Sequence, residues 1–185
     1  HSLCFAALVG PQGRVISFEP NPHNVARFRL HLERNPQLAE RITLMTSAVS
    51  NVDGEATFEF SSNVDDGTSS GSHLSDAMVP GEAWWYENFE RTTVPTVRAD
   101  TLLRGGRATV PTILKIDVEG AEQLVLEGAQ ELLATARPML FIEVHNITQM
   151  FYVQKILFDA GYALDMLDAE HSSFSRCFLA ARPVA

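Results

Sequence analysis

Four side chains that could carry out acid–base chemistry follow two hydrophobic runs in the second half of this 185-residue chain. The run that starts at Ile113 ends in Asp117 and Glu119, within ILKIDVEGAE, and the run in RPMLFIEVHN ends in Glu143 and His145. In open parallel sheets, ligands bind beyond the carboxyl ends of the strands. We therefore expect these four side chains to lie at one edge of a sheet and to form a site.

The chemistry expected of this group is proton transfer. His145 is the first candidate for a general base, because imidazole titrates near neutral pH. Asp117, Glu119 and Glu143 compete for the same role. Two structural alternatives stay open: Glu119 could favour the positive amino end of the helix that follows, and His145 could cap the strand–helix turn with Asn146.

The same four residues could instead gather a divalent cation. Carboxylate oxygens and one imidazole suit Mg²⁺ or Mn²⁺, and such an ion would acidify a bound hydroxyl without a protein base. Residues two apart in a strand face the same side, which permits joint ligation but does not demand it. We therefore assign no metal ligands from the sequence and keep the cation as a secondary hypothesis.

Glu19 ends an earlier hydrophobic run, RVISFEP. An acidic residue at the end of the second strand of a nucleotide-binding fold accepts both ribose hydroxyls, about 20 residues after a glycine-rich loop. Counting back from Glu19 puts that loop at or just before His1. Alternatively, Glu19 helps to cap a helix that begins at Pro22, and spacing alone does not separate the two interpretations.

Strands and helices must alternate to position these residues. Asn21 is the expected N-cap of the helix after Glu19, with Pro22 at its first position. Asp100 is the expected cap of a short helix after TTVPTV. Hydrophobic patterns predict strands over 14–20, 42–50, 55–60, 92–97, 113–117 and 137–146. Amphipathic patterns predict helices over 2–9, 21–36, 119–135 and 147–161.

This alternation predicts an α/β fold, with a Rossmann-like, doubly wound, mostly parallel sheet and helices on both faces. Two closing strands over 162–168 and 173–183 are joined by few residues, so we expect an antiparallel pair at the C-terminal end. No repeat or linker interrupts the pattern. We expect a single domain over residues 1–185.

Residues 61–81 break the pattern, because they are rich in Ser, Gly and Asp and have no periodicity. The aromatic stretch EAWWYENF follows, and its rings could form a sugar-stacking platform or pack in the core. We interpret residues 61–92 as an inserted lid or substrate region. His73 within it is expected to be solvent-exposed.

Charge and cysteine content exclude several classes of protein. The chain has 23 acidic and 14 basic residues, so its net charge of −9 disfavours nucleic-acid binding. No apolar run is long enough to span a membrane, so no membrane partner is expected. Cys4 and Cys177, the two cysteines, are expected to be buried thiols of a cytoplasmic protein.

Several blocks, in this order, resemble the FkbM family of methyltransferases: VISFEPNPHN, SAVSNVDGEATF, VRADTLL, ILKIDVEGAEQLVLEGA and RPMLFIEVHN. KIDVEGAE is the most specific of them, and the resemblance covers roughly residues 1–150. It implies a class I S-adenosylmethionine (SAM) enzyme that methylates hydroxyl oxygens and releases S-adenosylhomocysteine. The implied acceptor is a small hydroxylated molecule, such as a sugar or a polyketide-like metabolite.

The resemblance also implies roles for individual residues. Glu19 would bind the ribose hydroxyls of SAM, Ser47 and Ala48 would flank the adenine, and Asp117 would lie near the methionine part or the transferred methyl. The implied cofactor-binding set is Glu19, Pro20, Asn21, Ser47, Ala48 and Asp117. The candidate catalytic set, which rests on the acid–base chemistry of the residues themselves, is His145, Asp117, Glu143 and Glu119.

The family's glycine-rich first strand has no counterpart in this sequence, so we expect an N-terminally truncated domain. One alternative is a catalytically inactive, methyltransferase-like fold that binds a ligand or partner. Another is an NAD-dependent oxidoreductase, against which KIDVEGAE and the two closing strands argue. The oligomeric state cannot be predicted from the sequence.

Overall fold

The structure, a computed structural model, describes residues 1–61, 71–77, 89–167 and 177–184. Seven α-helices lie in this part of the chain: α1 (Ser2–Leu8), α2 (Pro22–Glu33), α3 (Pro36–Ala39), α4 (Ala99–Arg104), α5 (Glu122–Glu127), α6 (Gln130–Thr135) and α7 (Ile147–Asp159). A short 3-10 helix covers Ser75–Ala77. The ten strands in this part of the chain are β1 (Val15–Phe18), β2 (Ile42–Met45), β3 (Ala48–Val49), β4 (Gly54–Ser61), β5 (His73–Leu74), β6 (Phe89–Val97), β7 (Ile113–Ile116), β8 (Met139–Val144), β9 (Tyr162–Met166) and β10 (Cys177–Pro183).

The strands form three sheets, and the two four-stranded sheets have strands of mixed direction. Strands β1 and β2 pair in parallel, and the two four-stranded sheets have the orders β3-β6-β4-β5 and β7-β8-β10-β9. The expected α/β class and the antiparallel closing pair, β9 with β10, are confirmed. The expected mostly parallel, doubly wound sheet is not found among the described residues. Long antiparallel pairings of β4 with β6 and of β8 with β10 account for the difference.

The main hydrophobic core lies between the β7-β8-β10-β9 sheet and the helices α5, α6 and α7. Leu126, Leu133, Val153 and Leu157 are fully buried there, and each contributes about 1.5–3 kcal/mol through burial. This core holds the ends of β7 and β8, from which the predicted catalytic residues project. A smaller core under residues 71–77 contains Phe58, Phe60, Leu74 and Ala77.

The start of α2 is built as predicted. Asn21 is its N-cap and accepts a hydrogen bond from the backbone of His23, with Pro22 at the first helical position. Proline is tolerated there because the first amide has no partner within the helix.

The single helix predicted over 119–135 is instead two short helices, α5 and α6. Gly128 ends α5 with ordinary helical angles, so no unusual backbone conformation requires a glycine. A Cβ at this position would lie 2.0 Å from the carbonyl oxygen of Ser50. The carbonyl of Gly128 also accepts a hydrogen bond from the backbone of Asp100. Tertiary contacts therefore break a continuous amphipathic pattern.

The expectation that Asp100 caps its own helix is wrong. Asp100 lies inside α4, and its buried carboxylate accepts hydrogen bonds from the backbone amides of Glu131 and Leu132, at 3.1 and 3.0 Å. It therefore satisfies amides at the start of α6, 31 residues further along the chain.

Cys4 and His73 also differ from expectation. Cys4 is exposed on α1, whose fully buried side chain is Ala6, while Cys177 is partly buried against the sulfur of Met150. His73 is buried, since only 2% of its surface is accessible. It begins β5, so residues 73–74 belong to a sheet.

The longest helix in the described part of the chain, α7, has 13 residues. None of the helices described is long and apolar enough to cross a membrane.

Candidate active site

A cavity of about 270 Å³ lies where ends of elements from all three sheets meet. Its volume is near the lower end of the range for ligand pockets, about 300 Å³. Residues after β1, around β3 and after β7 form its walls, together with the 71–74 segment. The polar lining residues are Glu19, Asn24, Ser47, Ser72, Asp117 and Glu119, and the apolar ones include Phe18, Pro20, Ala48, Phe58 and Leu74.

Glu19 lies just before the start of α2 and faces the cavity. Its carboxylate accepts hydrogen bonds from the backbone of Asn21 at 2.9 Å and from the side chain of Asn24 at 3.3 Å. Burial raises the pKa of Glu19, and these two hydrogen bonds only partly oppose the rise. Glu19 therefore braces the start of α2 and lines the cavity at the same time.

The other predicted cofactor residues are divided between the cavity and its surroundings. Pro20, Ser47 and Ala48 line the cavity. Asn21 is fully buried and is not part of the lining. Its side-chain amide donates to the hydroxyl of Ser72 at 3.0 Å, so it ties the start of α2 to the 71–77 segment.

The turn from β7 to α5 brings Asp117 and Glu119 into the cavity wall. Glu119 has a φ of +49°, in the left-handed region that non-glycine residues seldom adopt. Gly120 follows with a φ of +98°, and a Cβ there would lie 3.3 Å from the carbonyl oxygen of Ala77. Strain of this kind costs on the order of 1–3 kcal/mol and clusters at functional sites.

The four predicted catalytic residues meet at the ring of His145. Its Nε2 atom lies 3.3 Å from a carboxylate oxygen of Glu119, 3.6 Å from Glu143 and 3.7 Å from Asp117. On the other side of the ring, Nδ1 lies 2.8 Å from Glu122. His145 and Glu143 are not among the cavity-lining residues, so they lie behind Asp117 and Glu119.

Sequence reasoning missed Glu122, which is fully buried. Its Oε1 atom accepts hydrogen bonds from the backbone of Gly120 and from Nδ1 of His145. Because a carboxylate only accepts, Nδ1 must carry a proton, and Nε2 is left facing the other three carboxylates. The available signal was its helical spacing from Val125 and Leu126, which places a charged residue on the buried face of α5.

The electrostatics of this cluster are dominated by negative charge. Burial alone would lower the pKa of His145, but the hydrogen bond to Glu122 and the charges of Glu119, Glu122 and Glu143 outweigh it and raise the pKa. The ring of His145 therefore stays protonated up to a higher pH, and the protonated ring cannot accept another proton. Lys115 supplies a second positive charge through a 2.6 Å contact with Asp117.

Comparison with known proteins identifies the family. A family model described as the methyltransferase FkbM domain matches residues 1–167. The chain belongs to the FkbM methyltransferase domain family. The family resemblance in its strand-end motifs is thereby confirmed.

Two relatives of this FkbM-domain chain are informative. It is 26% identical over 161 residues to the hexuronic acid methyltransferase AglP of Haloferax volcanii, covering 87% of this chain and 59% of that protein. It also resembles the crystal structure of methyltransferase FkbM from Methylobacillus flagellatus, with a TM-score of 0.64 and 19% identity. That match covers 97% of this chain and 41% of the solved one, and it supports the fold alone. The chain thus spans about three fifths of the length of the curated relative.

Proposed function

We propose that this chain is the catalytic part of a SAM-dependent O-methyltransferase that acts on a hydroxyl of a small molecule. The observation that carries the proposal is a cavity, in a chain of the FkbM family, whose wall contains Glu19, Asp117 and Glu119. Similarity to a hexuronic acid methyltransferase supports a sugar-type acceptor.

Glu19 fits the ribose of SAM because of its remaining hydrogen-bonding capacity. A carboxylate offers about four lone-pair positions, and Asn21 and Asn24 occupy two of them. The others are available to two ribose hydroxyls. Ser47 and Ala48, on another wall of the cavity, are proposed to flank the adenine.

When bound, SAM supplies an electrophilic methyl group on a sulfonium sulfur. The protein's task is then to hold the acceptor oxygen in line with that methyl group and to accept the hydroxyl proton. Of the four predicted catalytic residues, Asp117 and Glu119 line the cavity. Asp117 Oδ2 is engaged by Lys115, so we assign proton acceptance to Glu119 and orientation of the hydroxyl to Asp117. His145 and Glu143 are assigned to the support of these two side chains.

Most of the proposed lid, residues 62–70 and 78–88, lies outside the described residues. This part includes the aromatic stretch proposed as a substrate platform, except for Phe89 at the start of β6. Sugars and sugar acids are the first acceptors to screen.

Calorimetric titration of SAM and S-adenosylhomocysteine into the full-length protein tests the proposal. We expect micromolar binding and a Kd about 10- to 100-fold weaker for Glu19→Ala, since a hydrogen bond to a charged group contributes about 1.5–3 kcal/mol. Glu33→Ala, an exposed glutamate on α2, is the matched control and should bind like the wild type.

Two results would contradict the proposed cofactor site. If neither compound binds, or if Glu19→Ala binds as tightly as the wild type, the proposed cofactor site is wrong. Tight binding without methyl transfer to any hydroxylated acceptor would favour the catalytically inactive alternative.

A further inference from the structure

The carboxylates around His145 are arranged in a way that proton transfer alone does not explain. We propose that Asp117 Oδ1, Glu143 Oε1 and His145 Nε2 form a binding site for a hard divalent cation such as Mg²⁺ or Mn²⁺. These three residues each offer one ligand atom, and the atoms all lie within 4.8 Å of one another.

The distances suit an octahedral ion. Bonds of about 2.1 Å place neighbouring ligand atoms about 3.0 Å apart and opposite ones about 4.2 Å apart. Nε2 lies 3.6 Å from Glu143 Oε1 and 3.7 Å from Asp117 Oδ1, between those two values. Small rotations of the side chains bring three ligands onto one ion, and water or an acceptor oxygen completes the shell.

The imidazole of His145 is the second, independent observation. Only 6% of its side chain is exposed, and Nε2 makes no hydrogen bond to any residue that the structure describes. Buried polar atoms almost always have a partner. Glu122 holds Nδ1, so Nε2 is directed at Glu119, Glu143 and Asp117, at 3.3, 3.6 and 3.7 Å. A carboxylate behind a histidine in this way is the usual support of a metal-ligating imidazole.

The cluster carries a large negative charge. Four carboxylates surround His145, and that of Glu122 is fully buried. Lys115 contacts one of them, Asp117, at 2.6 Å. Carboxylates gathered this closely favour the binding of a cation. A divalent ion at Nε2 would take the place of the proton that the charged ring holds there.

The ion would also serve the methyl transfer, and this step rests on the proposed function. Asp117 is shared between the cation site and the cavity wall. An acceptor hydroxyl bound to the ion is acidified. Its O–H bond breaks with the proton passing to Glu119, the new O–C bond forms, and the C–S bond breaks with its electron pair staying on sulfur.

Titration of Mn²⁺ into the full-length protein, without SAM, tests the site through the loss of the free-ion electron paramagnetic resonance signal. We expect one saturable site, with affinity about tenfold or more weaker in Glu143→Gln and in Glu122→Gln. Glu33→Gln, on the surface of α2, should bind like the wild type. Failure of the wild type to bind Mn²⁺, or unchanged affinity in folded Glu143→Gln, overturns the proposal.

A second measurement on the wild type covers the case in which the variants do not fold. Pulsed electron paramagnetic resonance of the bound Mn²⁺ should show coupling to a histidine nitrogen, and bound Mn²⁺ without it contradicts the proposal. The site is separable from the proposed function. If Mn²⁺ binds and SAM does not, the cation site stands and the proposed methyltransferase function is refuted. If SAM binds in the presence of a chelator and Mn²⁺ does not bind, the methyltransferase function stands and the cation site is refuted.

Discussion

At the scale of single residues, the orientation of His145 is determined by Glu122. The hydrogen bond between them selects which ring nitrogen faces Asp117, Glu119 and Glu143. The nitrogen that faces these three carboxylates is therefore Nε2. Glu122, which does not line the cavity, thus fixes the orientation of the ring that contacts Asp117 and Glu119.

Glu19 has a measurable consequence for stability. Its pKa is raised on folding, mainly by burial, so the folded chain binds this proton more tightly than the unfolded chain. The contribution of Glu19 to the free energy of unfolding therefore falls as the pH rises from 4.5, its ordinary pKa, through its raised pKa in the folded chain. The buried charge then destabilises the folded chain, and this destabilisation persists at neutral pH.

Glu19→Gln should remove this penalty. We expect urea unfolding to show the variant gaining stability relative to the wild type between pH 4 and pH 7. Glu33→Gln, at an exposed position, should show no such gain. A constant difference between Glu19→Gln and the wild type across this range would contradict the burial argument.

At the scale of elements, short helices are terminated by contacts from elsewhere in the chain. Gly128 allows α5 to end against Ser50, and Asp100 caps α6 from within α4. Both contacts lie in the segment that follows the β7–α5 turn, where α5 ends and α6 begins.

Gly128→Ala should destabilise the protein by about 3 kcal/mol, because its Cβ would meet the backbone of Ser50 at 2.0 Å. Gly105→Ala is the matched control. Gly105 also ends a helix with ordinary angles, but its Cβ would lie 3.1 Å from the nearest atom, so we expect a loss below about 1 kcal/mol. Equal midpoints in thermal unfolding for the two variants would refute the steric explanation.

At the scale of the whole molecule, the cavity depends on the meeting of three sheets and the 71–77 segment. Ser72, which lines the cavity, is tied to α2 by the side chain of Asn21. Asn21 also caps α2. One buried side chain therefore connects the start of α2, next to Glu19, to the part of the cavity wall that contains Ser72.

Ser72→Ala should loosen this wall while leaving the cap of α2 intact. We expect amide hydrogen exchange in residues 71–77 to become about tenfold faster, as the loss of one partly buried hydrogen bond implies. Exchange in α2 should not change, because the cap of α2 is kept. Unchanged exchange in the segment would show that the bond from Asn21 does not stabilise this wall, and faster exchange in α2 would show that the cap of the helix also depends on Ser72.

The sequence by itself determined which residues come to the strand ends. Asn21 and Pro22 start a helix through local hydrogen bonding, and strand periodicity placed Asp117, Glu119, Glu143 and His145 at one edge. These features depend on neighbours a few residues away, which a single sequence displays. The family follows from the same motifs.

Only the tertiary structure decided the rest. The hydrogen bond between Glu122 and His145, the cap that Asp100 provides to α6 and the clash that requires Gly128 all arise between residues distant in sequence or on different elements. The mixed direction of the sheets likewise depends on long-range pairing. Local patterns cannot encode these contacts, because each depends on where another part of the chain comes to lie.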